Sequence, residues 1–325
     1  MPKKEIVIIG SGVSGLLCGK RLTEAGHSVL LIDKGRNAGG RLSTRRTDGA
    51  VFHHGATSLP DFYKHKDFPE FGLKTLKRAE REKVIQRKGD LFEPVSSVSH
   101  LVSFFAKSLN IQEGCEATSL NLKNKTIDVT YRNGTHKKLS YDILIISIPP
   151  NQAKTLINNQ LDRFDNCLGE VEMRSSAAAL FSFDLDPELI RETHLSNKNV
   201  NIYIENNRFK CAQRLLCLTV HTNEPFARKV VNNDKNRIKE ILLKEVSSAV
   251  PISLPKPNYE AGHRWLYSFT ERALGKPYLF YKKESVGICG DWCSGSSILD
   301  AASSGVKLAE QILKPFLIQA QKKIR

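Results

Sequence analysis

The sequence predicts an α/β protein in which α/β segments at both ends bracket a β-rich middle. Three observations support this prediction. A strand–helix–strand unit occupies the first 33 residues, a short apolar strand and a long helix come near the end, and strand-like runs dominate between them. With 325 residues, 40% of them hydrophobic, the chain is long enough for two domains. We therefore expect a discontinuous α/β domain with a second domain inserted into it.

The opening unit is the clearest segment. Residues 5–9 form a short β-branched run, which is typical of a buried parallel strand. Residues 13–25 have the spacing of a helix that ends at Gly26, and residues 27–32 form a second apolar strand that ends at Asp33. Strand, helix and strand within about 30 residues make a βαβ unit.

The later elements are assigned from periodicity and turn residues. Residues 36–60 are expected to form an extended loop, residues 64–93 are charged and mixed, and a helix is expected from Pro94 to residue 109. A small β-meander is predicted over 116–139, with Asn133-Gly134 as its hairpin turn. The other predicted elements are strands at 141–148 (stopped by Pro149-Pro150), 175–185, 200–205, 215–221, 259–269 and 285–289, and helices at 234–248 and from Ile298.

Composition narrows the class of protein. The net charge of +15 fits a solvated basic surface or attraction of anionic small molecules, and scattered lysines and arginines without a known module argue against nucleic-acid binding. Seven cysteines without a C-x-x-C pair favour reduced thiols in the cytoplasm. Glu5 interrupts the basic region before the first apolar run, and Leu17 is not the small residue that a cleavage site requires, so we do not expect a signal peptide. No other apolar run is long enough for a transmembrane helix.

A glycine motif follows the first strand. Gly10, Gly12 and Gly15 spell G-x-G-x-x-G, which gives a tight turn, close approach to a pyrophosphate and close helix–strand packing. The helix N-terminus offers N–H groups and partial positive charge to the phosphate, while Asp33 can accept hydrogen bonds from ribose hydroxyls. The dinucleotide-binding residues predicted here are Gly10, Gly12, Val13, Ser14, Gly15, Asp33 and Lys34.

Two further motifs favour FAD over NAD. Gly39-Gly40-Arg41 resembles the second signature of the flavin amine oxidase superfamily. Residues 286–291, which end in Gly290-Asp291, resemble the strand of these flavoproteins whose aspartate holds the ribityl or pyrophosphate part of FAD. The helix after it, entered through Ser297 and Ile298, would direct its N-terminus at the flavin. Three motifs in this order predict a tightly bound FAD.

Within that superfamily the sequence resembles the renalase-like branch. The resemblance rests on GGRLSTRR (residues 39–46), VFHHGA (51–56), RWLYS (264–268) and the closing run at 297–313. It implies a p-hydroxybenzoate-hydroxylase-like fold with a β-sheet-plus-helix substrate domain over the flavin. We expect the FAD-binding domain to comprise residues 1–60, 94–153 and 270–325, and the substrate domain to comprise residues 61–93 and 154–269.

The resemblance also implies a chemistry. Renalase-like enzymes transfer a hydride from a small dihydropyridine-type substrate, an isomer of NAD(P)H, to flavin N5, and O2 reoxidises the flavin to give H2O2. Amine oxidation and desaturation of a carotenoid or porphyrinogen are alternatives on the same scaffold. A third alternative is a non-catalytic FAD-binding protein. The family pattern is Asp-His-Gly-Ala followed by Gln-Tyr-Phe, whereas this chain has His53-His54-Gly55-Ala56 followed by Thr57 to Pro60, so residues expected near the flavin differ.

Candidate site residues follow from these segments. His54 keeps the family position, Trp265 is a candidate aromatic wall, and Arg264 is a candidate partner for an anionic substrate; core or surface roles remain the alternatives. We expect backbone near Gly55, Ala56 and Ala117 to approach the cofactor. Four other positions carry further expectations: Arg45 and Arg46 as FAD phosphate contacts or solvated residues, His53 as a local substitution, and Leu299 in place of a glutamate. The histidines lack metal-ligand spacing, so no metal site is predicted.

Overall fold

A computed structural model describes residues 2–47, 49–161, 164, 167–208 and 215–322, with side chains described as far as Lys314. Cys211 lies outside the described residues. The strands are β1 (Glu5–Ile9), β2 (Ser28–Asp33), β3 (Thr44–Thr47), β4 (Ala50–His53), β5 (Leu59–Pro60), β6 (Ile85–Lys88), β7 (Leu91–Pro94), β8 (Asn110–Glu113), β9 (Cys115–Asn121), β10 (Thr126–Tyr131), β11 (His136–Ser140), β12 (Ile143–Ile146), β13 (Glu172–Phe183), β14 (His194–Ser196), β15 (Val200–Ile204), β16 (Leu216–Thr222), β17 (Tyr259–Arg272), β18 (Leu279–Tyr281) and β19 (Val286–Ile288). The helices are α1 (Val13–Glu24), α2 (Glu70–Arg81), α3 (Val98–Ala106), α4 (Pro150–Ile157), α5 (Glu205–Arg208), α6 (Phe226–Val230), α7 (Lys235–Ala249) and α8 (Ile298–Lys322).

The largest sheet forms the α/β part of the molecule. Its strand order is β18-β19-β12-β1-β2-β8, in which all pairs are parallel except β18 with β19. Alternate residues of β1 enter two different cores: Ile6 and Ile8 pack with α1, α3 and α8, whereas Val7 and Ile9 pack towards the β9–β11 meander and α4. Both faces are covered, which explains why the strand is apolar at successive positions rather than alternating.

A second, antiparallel sheet carries the middle of the chain. Its strand order is β14-β15-β16-β13-β17. One face, which includes Phe181 and Val220, packs on α7 through residues such as Leu242. The other face packs against β4, where Phe52 contacts the cluster of Leu180 and its neighbours. The helix therefore covers one side of this sheet, and the second side faces the α/β part.

These observations confirm the predicted mixed α/β fold with its Rossmann-like part and sheet-plus-helix insertion. The proposed domain boundaries remain a prediction. Within them, residues 61–93 contain α2, β6 and most of β7, and several of their apolar side chains join the same core as α1 and α8. No helix of the described residues is long and apolar enough to cross a bilayer.

Two local expectations were wrong, and a third was correct but incomplete. The segment 36–60 is not one extended loop, because β3 and β4 pair as an antiparallel hairpin and β5 follows. Pro94 ends β7 instead of opening a helix; α3 begins at Val98, after Ser97 accepts a hydrogen bond from the His100 N–H. Pro150 does stop the preceding strand, but it is also the first residue of α4, where its missing N–H costs nothing.

Candidate functional site

The first glycine motif forms a turn between β1 and α1. Gly10 has φ +102°, a conformation that favours glycine. A Cβ at Gly15 would overlap the carbonyl oxygen of Gly10, so Gly15 lets the helix start close to the strand. A Cβ at Gly12 would instead project into open space, with no atom within 4 Å. The turn thus leaves a clear space beside Gly12.

The N-terminus of α1 borders that space. Gly12 is the N-cap residue and supplies no side-chain capping bond, so the first-turn N–H groups, including those of Val13 and Ser14, are donors without a side-chain cap. Aligned peptide dipoles add partial positive charge at this end. Open space beside a glycine and uncapped N–H groups fit a pyrophosphate, and the residues present therefore fit the phosphate part of FAD.

Asp33 lies at the end of β2, as predicted. Its Oδ2 accepts hydrogen bonds from the Ser11 N–H at 2.7 Å and the Ser11 hydroxyl at 2.8 Å, and its Oδ1 accepts one from the Gly35 N–H at 2.7 Å. A carboxylate has about four acceptor positions, so capacity for a ribose hydroxyl remains. Lys34 next to it forms a long, exposed ion pair with Glu116 at 3.9 Å.

Ala117 lies on β9, opposite Val129 on β10, and is partly buried. β9 begins just after Gly114, whose N–H donates to the Gly35 carbonyl at 2.7 Å. The strand is thereby anchored near the Asp33 end of β2. This position is compatible with the predicted contact between Ala117 and FAD.

The second motif lies directly against the first. The Gly39 N–H donates to the Ser11 carbonyl at 2.9 Å, and Gly12 and Gly39 form an isolated parallel bridge. Gly39 and Gly40 have φ +117° and +57°, and a Cβ on Gly40 would lie 3.3 Å from the Cα of Gly12. Gly39 is favoured by its positive φ and because a Cβ there would overlap Leu42 and Val102, whereas Gly40 is favoured by its positive φ and its closeness to Gly12.

Arg41 joins the second motif to the third. Its guanidinium forms a bidentate pair with Asp291, in which Nη1 donates to Oδ2 at 2.8 Å and Nη2 donates to Oδ1. Nη1 also donates to the Ser268 carbonyl at 3.1 Å, and the Thr270 hydroxyl donates to Asp291 at 3.3 Å. Asp291 is 3% exposed, so Arg41 neutralises a buried carboxylate. In the structure Asp291 therefore orients Arg41, a role that the sequence did not predict.

The start of α8 completes this region. Ser297 and Asp300 form reciprocal bonds, with the Ser297 N–H and hydroxyl donating to the Asp300 carboxylate and the Asp300 N–H donating to the Ser297 hydroxyl. Ile298 and Leu299 are buried, and Leu299 belongs to the core shared with α1. Leu299, at the position where the family often has a glutamate, is thus a core residue in this chain.

Close contact between helices brings α8 to the first motif. A Cβ at Gly305 would overlap the carbonyl oxygen of Ser14, so only glycine allows α8 to pack this tightly on α1. The Gly290 N–H donates to the Ser304 hydroxyl at 3.0 Å, which fixes the turn before Asp291. The three motifs predicted to bind FAD, at residues 10–15, 39–41 and 290–291, therefore converge although they lie at opposite ends of the sequence.

The segment after β4 packs on the second motif. A Cβ at Gly55 would overlap the carbonyl oxygen of Arg41, and the Ala56 N–H donates to the same carbonyl at 2.9 Å. Glycine at 55 is thus required by close approach, which could be anticipated from the sequence only through the family resemblance. His54 precedes it and is held near Arg41 by this contact.

His54 lies in a cluster of three rings. Its ring centroid is 5.0 Å from that of His263 and 5.8 Å from that of Trp265, and the latter two are 4.3 Å apart. The Trp265 indole N–H donates to the His54 carbonyl at 2.9 Å, and the Ser43 hydroxyl lies 3.1 Å from His54 Nε2. Two candidates from distant segments, His54 and Trp265, therefore meet, and His263 is a third member that the sequence did not identify.

Burial shapes the protonation of these rings. It lowers the pKa of His54 from 6.5 to about 3, with smaller contributions from His263, His221 and Arg45. Burial likewise lowers the pKa of His263 to about 4, with Lys235 and Arg45 acting in the same direction. Both imidazoles are neutral at pH 7, so each can donate or accept a hydrogen bond without carrying charge.

His53 has a buried partner that sequence reasoning missed. His53 Nδ1 lies 2.8 Å from Glu205 Oε2, its backbone N–H donates to Oε1 at 3.1 Å, and the Thr219 hydroxyl also donates to Oε1. Both side chains of the pair are fully buried. The acid that the family pattern would place at position 53 is thus absent, and an acid from α5 lies beside that position instead. Glu205 thereby ties β4 to Thr219 on β16 of the five-stranded antiparallel sheet.

The three candidate arginines, Arg45, Arg46 and Arg264, lie in different parts of the structure. Arg264 lies between His263 and Trp265 on β17, so its side chain points to the opposite face of the sheet. It pairs with Ala177, which faces α7, and it is exposed. The structure therefore does not bring Arg264 to the ring cluster. Arg46 donates to the Ser99 hydroxyl at 2.8 Å, on α3. Arg45 lies on β3 opposite Phe52, and its charge contributes to lowering the pKa of His54 and of His263. Of the three, Arg45 is the one whose charge acts on the ring cluster.

Two family models match the chain. One, described as an NAD(P)-binding Rossmann-like domain, matches residues 8–71, and the other, described as flavin containing amine oxidoreductase, matches residues 67–313. The second match spans well over half of the chain. Together they confirm the Rossmann-like fold and the flavin cofactor predicted from the three motifs.

Individual relatives are more distant. The chain is 40% identical over 62 residues to the 4,4'-diapophytoene desaturase (4,4'-diaponeurosporene-forming) of Staphylococcus aureus strain Newman, which is 18% of this chain and 12% of that protein. The chain thus aligns with a small part of that relative's length.

Solved structures share the fold along nearly the whole chain. Cyclohexylamine oxidase from Brevibacterium oxydans IH-35A matches with a TM-score of 0.70 and 11% identity over 97% of this chain and 100% of that one. Reduced UDP-galactopyranose mutase matches with a TM-score of 0.68 and 13% identity over 96% of each chain. At such identities the likeness establishes the fold.

Proposed function

The chain belongs to the flavin containing amine oxidoreductase family, and on that premise we propose that it is a renalase-like FAD-dependent oxidase. The proposed substrate is a small dihydropyridine-type molecule such as an isomer of NAD(P)H. The substrate loses a hydride equivalent, O2 and a proton take it up, and the products are the pyridinium form and H2O2.

One observation carries the substrate proposal. The two segments that most resemble the renalase-like branch, residues 51–56 and 264–268, meet where the Trp265 indole N–H donates to the His54 carbonyl at 2.9 Å. The contact lies next to Gly55, which packs on Arg41 of the second FAD motif. Flat rings beside the predicted cofactor region suit a flat ring substrate, because aromatic faces stack with planar ligands.

Each group of residues then has a defined task. Gly12 and the first turn of α1 bind the pyrophosphate of FAD, and Asp33 holds the ribose. Arg41 pairs with Asp291 and thereby holds the second motif against the third. When bound, FAD supplies the two-electron acceptor for the substrate. The protein need not supply a strong base for this chemistry, because orientation of the substrate ring is the main requirement.

The ring cluster performs that orientation. The Ser43 hydroxyl contacts His54 Nε2 and the Trp265 indole N–H donates to the His54 carbonyl, so the backbone is held and the ring cannot turn without breaking the Ser43 contact. His54 Nδ1 is buried and has no hydrogen-bond partner among the described residues. His263 and Trp265 supply flat surfaces and exclude water. His54 and Trp265 therefore act as substrate-orienting residues in this proposal.

The proposal is tested by anaerobic titration of the purified yellow protein. Loss of the visible flavin absorbance on addition of dihydro-isomers of NAD(P)H, with no loss on addition of amines, would support it. Formation of one H2O2 per substrate after admission of O2 would support the oxidase assignment. Loss of absorbance with amines alone would instead identify an amine oxidase, the alternative suggested by the family description.

A further inference from the structure

The ring cluster lies in surroundings that lack an available carboxylate. Of the acids near it in the described chain, Asp291 pairs with Arg41 and Glu205 pairs with His53. Both of these carboxylates are buried and hydrogen-bonded. A protonated amine entering the cluster would therefore meet no free anion, and burying an unpaired cation is costly.

Arg45 brings a positive charge to the same place. On the β3–β4 hairpin it is directly opposite Phe52, whose ring stacks on Tyr259 with centroids 5.6 Å apart. Tyr259 and His263 are on the same face of β17, four residues apart. This arrangement places Arg45 at the edge of the ring cluster, on the side of His263.

Arg45 also has a distinctive environment. Its side chain is exposed and makes no hydrogen bond or ion pair with the other described residues. Its neighbour Arg46 differs, because Arg46 donates to Ser97 and Ser99. A guanidinium offers five N–H donors in a plane that matches phosphate or carboxylate oxygens. Arg45 is therefore placed to bind an anionic group of a ligand that lies on the rings.

We propose that Arg45 is a specificity-determining residue that binds the phosphate of a planar substrate stacked on His54, His263 and Trp265. The inference rests on the proposed function, because it assigns recognition within the same site. It predicts that a phosphate-bearing dihydropyridine is preferred over its phosphate-free counterpart and that protonated amines are rejected. The low pKa values of His54 and His263 agree, since both report surroundings that disfavour positive charge.

The test compares two substrates that differ by one phosphate. They are the reactive dihydro-isomers of nicotinamide mononucleotide and of nicotinamide riboside. For the wild type we expect kcat/KM to be about tenfold or more higher for the mononucleotide, and Arg45→Gln should remove this preference through KM while kcat stays unchanged. Arg45→Lys should restore part of it. Arg46→Gln is the matched control and should behave as the wild type.

A binding measurement separates this inference from the proposed function. Oxidised nicotinamide mononucleotide and riboside are added to the FAD-loaded protein, and the shift of the flavin spectrum is followed. Tighter binding of the mononucleotide, lost in Arg45→Gln, would support the inference even if neither dihydro-isomer is oxidised. Equal binding by wild type and Arg45→Gln, no binding by the wild type, or loss of FAD from Arg45→Gln would each overturn it.

Discussion

The acid sensitivity of folding tests the burial of His54. In the folded protein, burial and the neighbouring His263 hold the pKa of His54 near 3, whereas its ordinary value is 6.5. Between these values the unfolded chain binds more protons than the folded one. Stability from this group is therefore present above about pH 6.5 and is lost as the pH falls from there towards 3.

The magnitude follows from the two pKa values. Between pH 7 and pH 5 the imidazole of the unfolded chain becomes almost fully protonated, while that of folded His54 stays neutral. The free energy of unfolding then falls by about 2 kcal/mol from this one side chain. The result changes little if the folded value is one unit higher, because pH 5 is still above it.

The perturbation is His54→Gln. Glutamine retains a polar group that can reach the Ser43 hydroxyl but does not titrate. The substitution can change the free energy of unfolding at pH 7 by any amount. Between pH 7 and pH 5, however, the free energy of unfolding of the variant should fall by about 2 kcal/mol less than that of the wild type. Urea unfolding followed by tryptophan fluorescence at both pH values, in saturating FAD, measures this difference.

An exposed histidine, His194, provides the control. His194→Gln replaces an exposed histidine on β14, an edge strand of the sheet that carries His263 and Trp265. The free energy of unfolding that this variant loses between the two pH values should match the loss of the wild type. If His54→Gln loses as much free energy as the wild type does, His54 is not a buried neutral imidazole. The structure of the ring cluster would then be wrong at its centre.

Three further substitutions test the cofactor cradle and its supports. Gly12→Ala places a methyl group in the open space beside α1, so the thermal stability of the cofactor-free protein should be unchanged while its affinity for FAD, measured by fluorescence titration, falls by about tenfold or more. Glu205→Ala leaves His53 buried without its carboxylate partner and should lower the free energy of unfolding by about 3 kcal/mol in urea titrations. Arg41→Met leaves the Asp291 carboxylate buried without its cation and should cost about as much in thermal unfolding, with partial recovery in the double variant that adds Asp291→Asn. Unchanged FAD affinity in Gly12→Ala, or unchanged stability in either of the others, would contradict the corresponding contact.

Local signals in the sequence were sufficient for the α/β part. β1, α1 and β2 lie within one residue of the predicted bounds, because apolar runs and glycines mark their ends. The β9–β11 meander was also predicted, and its turn at Asn133-Gly134 has Gly134 at φ +84°. Such elements depend on residues that are close in sequence.

The hairpin of β3 and β4 could not be predicted from local sequence signals. Its first strand is Thr-Arg-Arg-Thr, which has no apolar alternation, and its second strand owes its burial to Phe52 packing on Leu180 and Cys217 far along the chain. The contact between His53 and Glu205 spans 152 residues in the same way. Long-range contacts of this kind leave no local pattern to read.

The position of Arg264, away from the ring cluster, could nevertheless have been predicted from the sequence. Adjacent residues in a strand point to opposite faces, so Arg264 and Trp265 could not both face the same site once β17 was predicted. The same alternation identifies His263 as the companion of Trp265. The resemblance drew attention to Arg264 and Trp265 together, whereas strand geometry separates them.

The central claim is that residues 10–15, 39–41 and 290–291 converge to hold FAD. The most direct test is the visible spectrum of the purified protein, with FAD identified and counted after denaturation. The account predicts a yellow protein with close to one FAD per chain, or a colourless one that takes up one equivalent of added FAD. A folded protein that binds no FAD under either condition would contradict it.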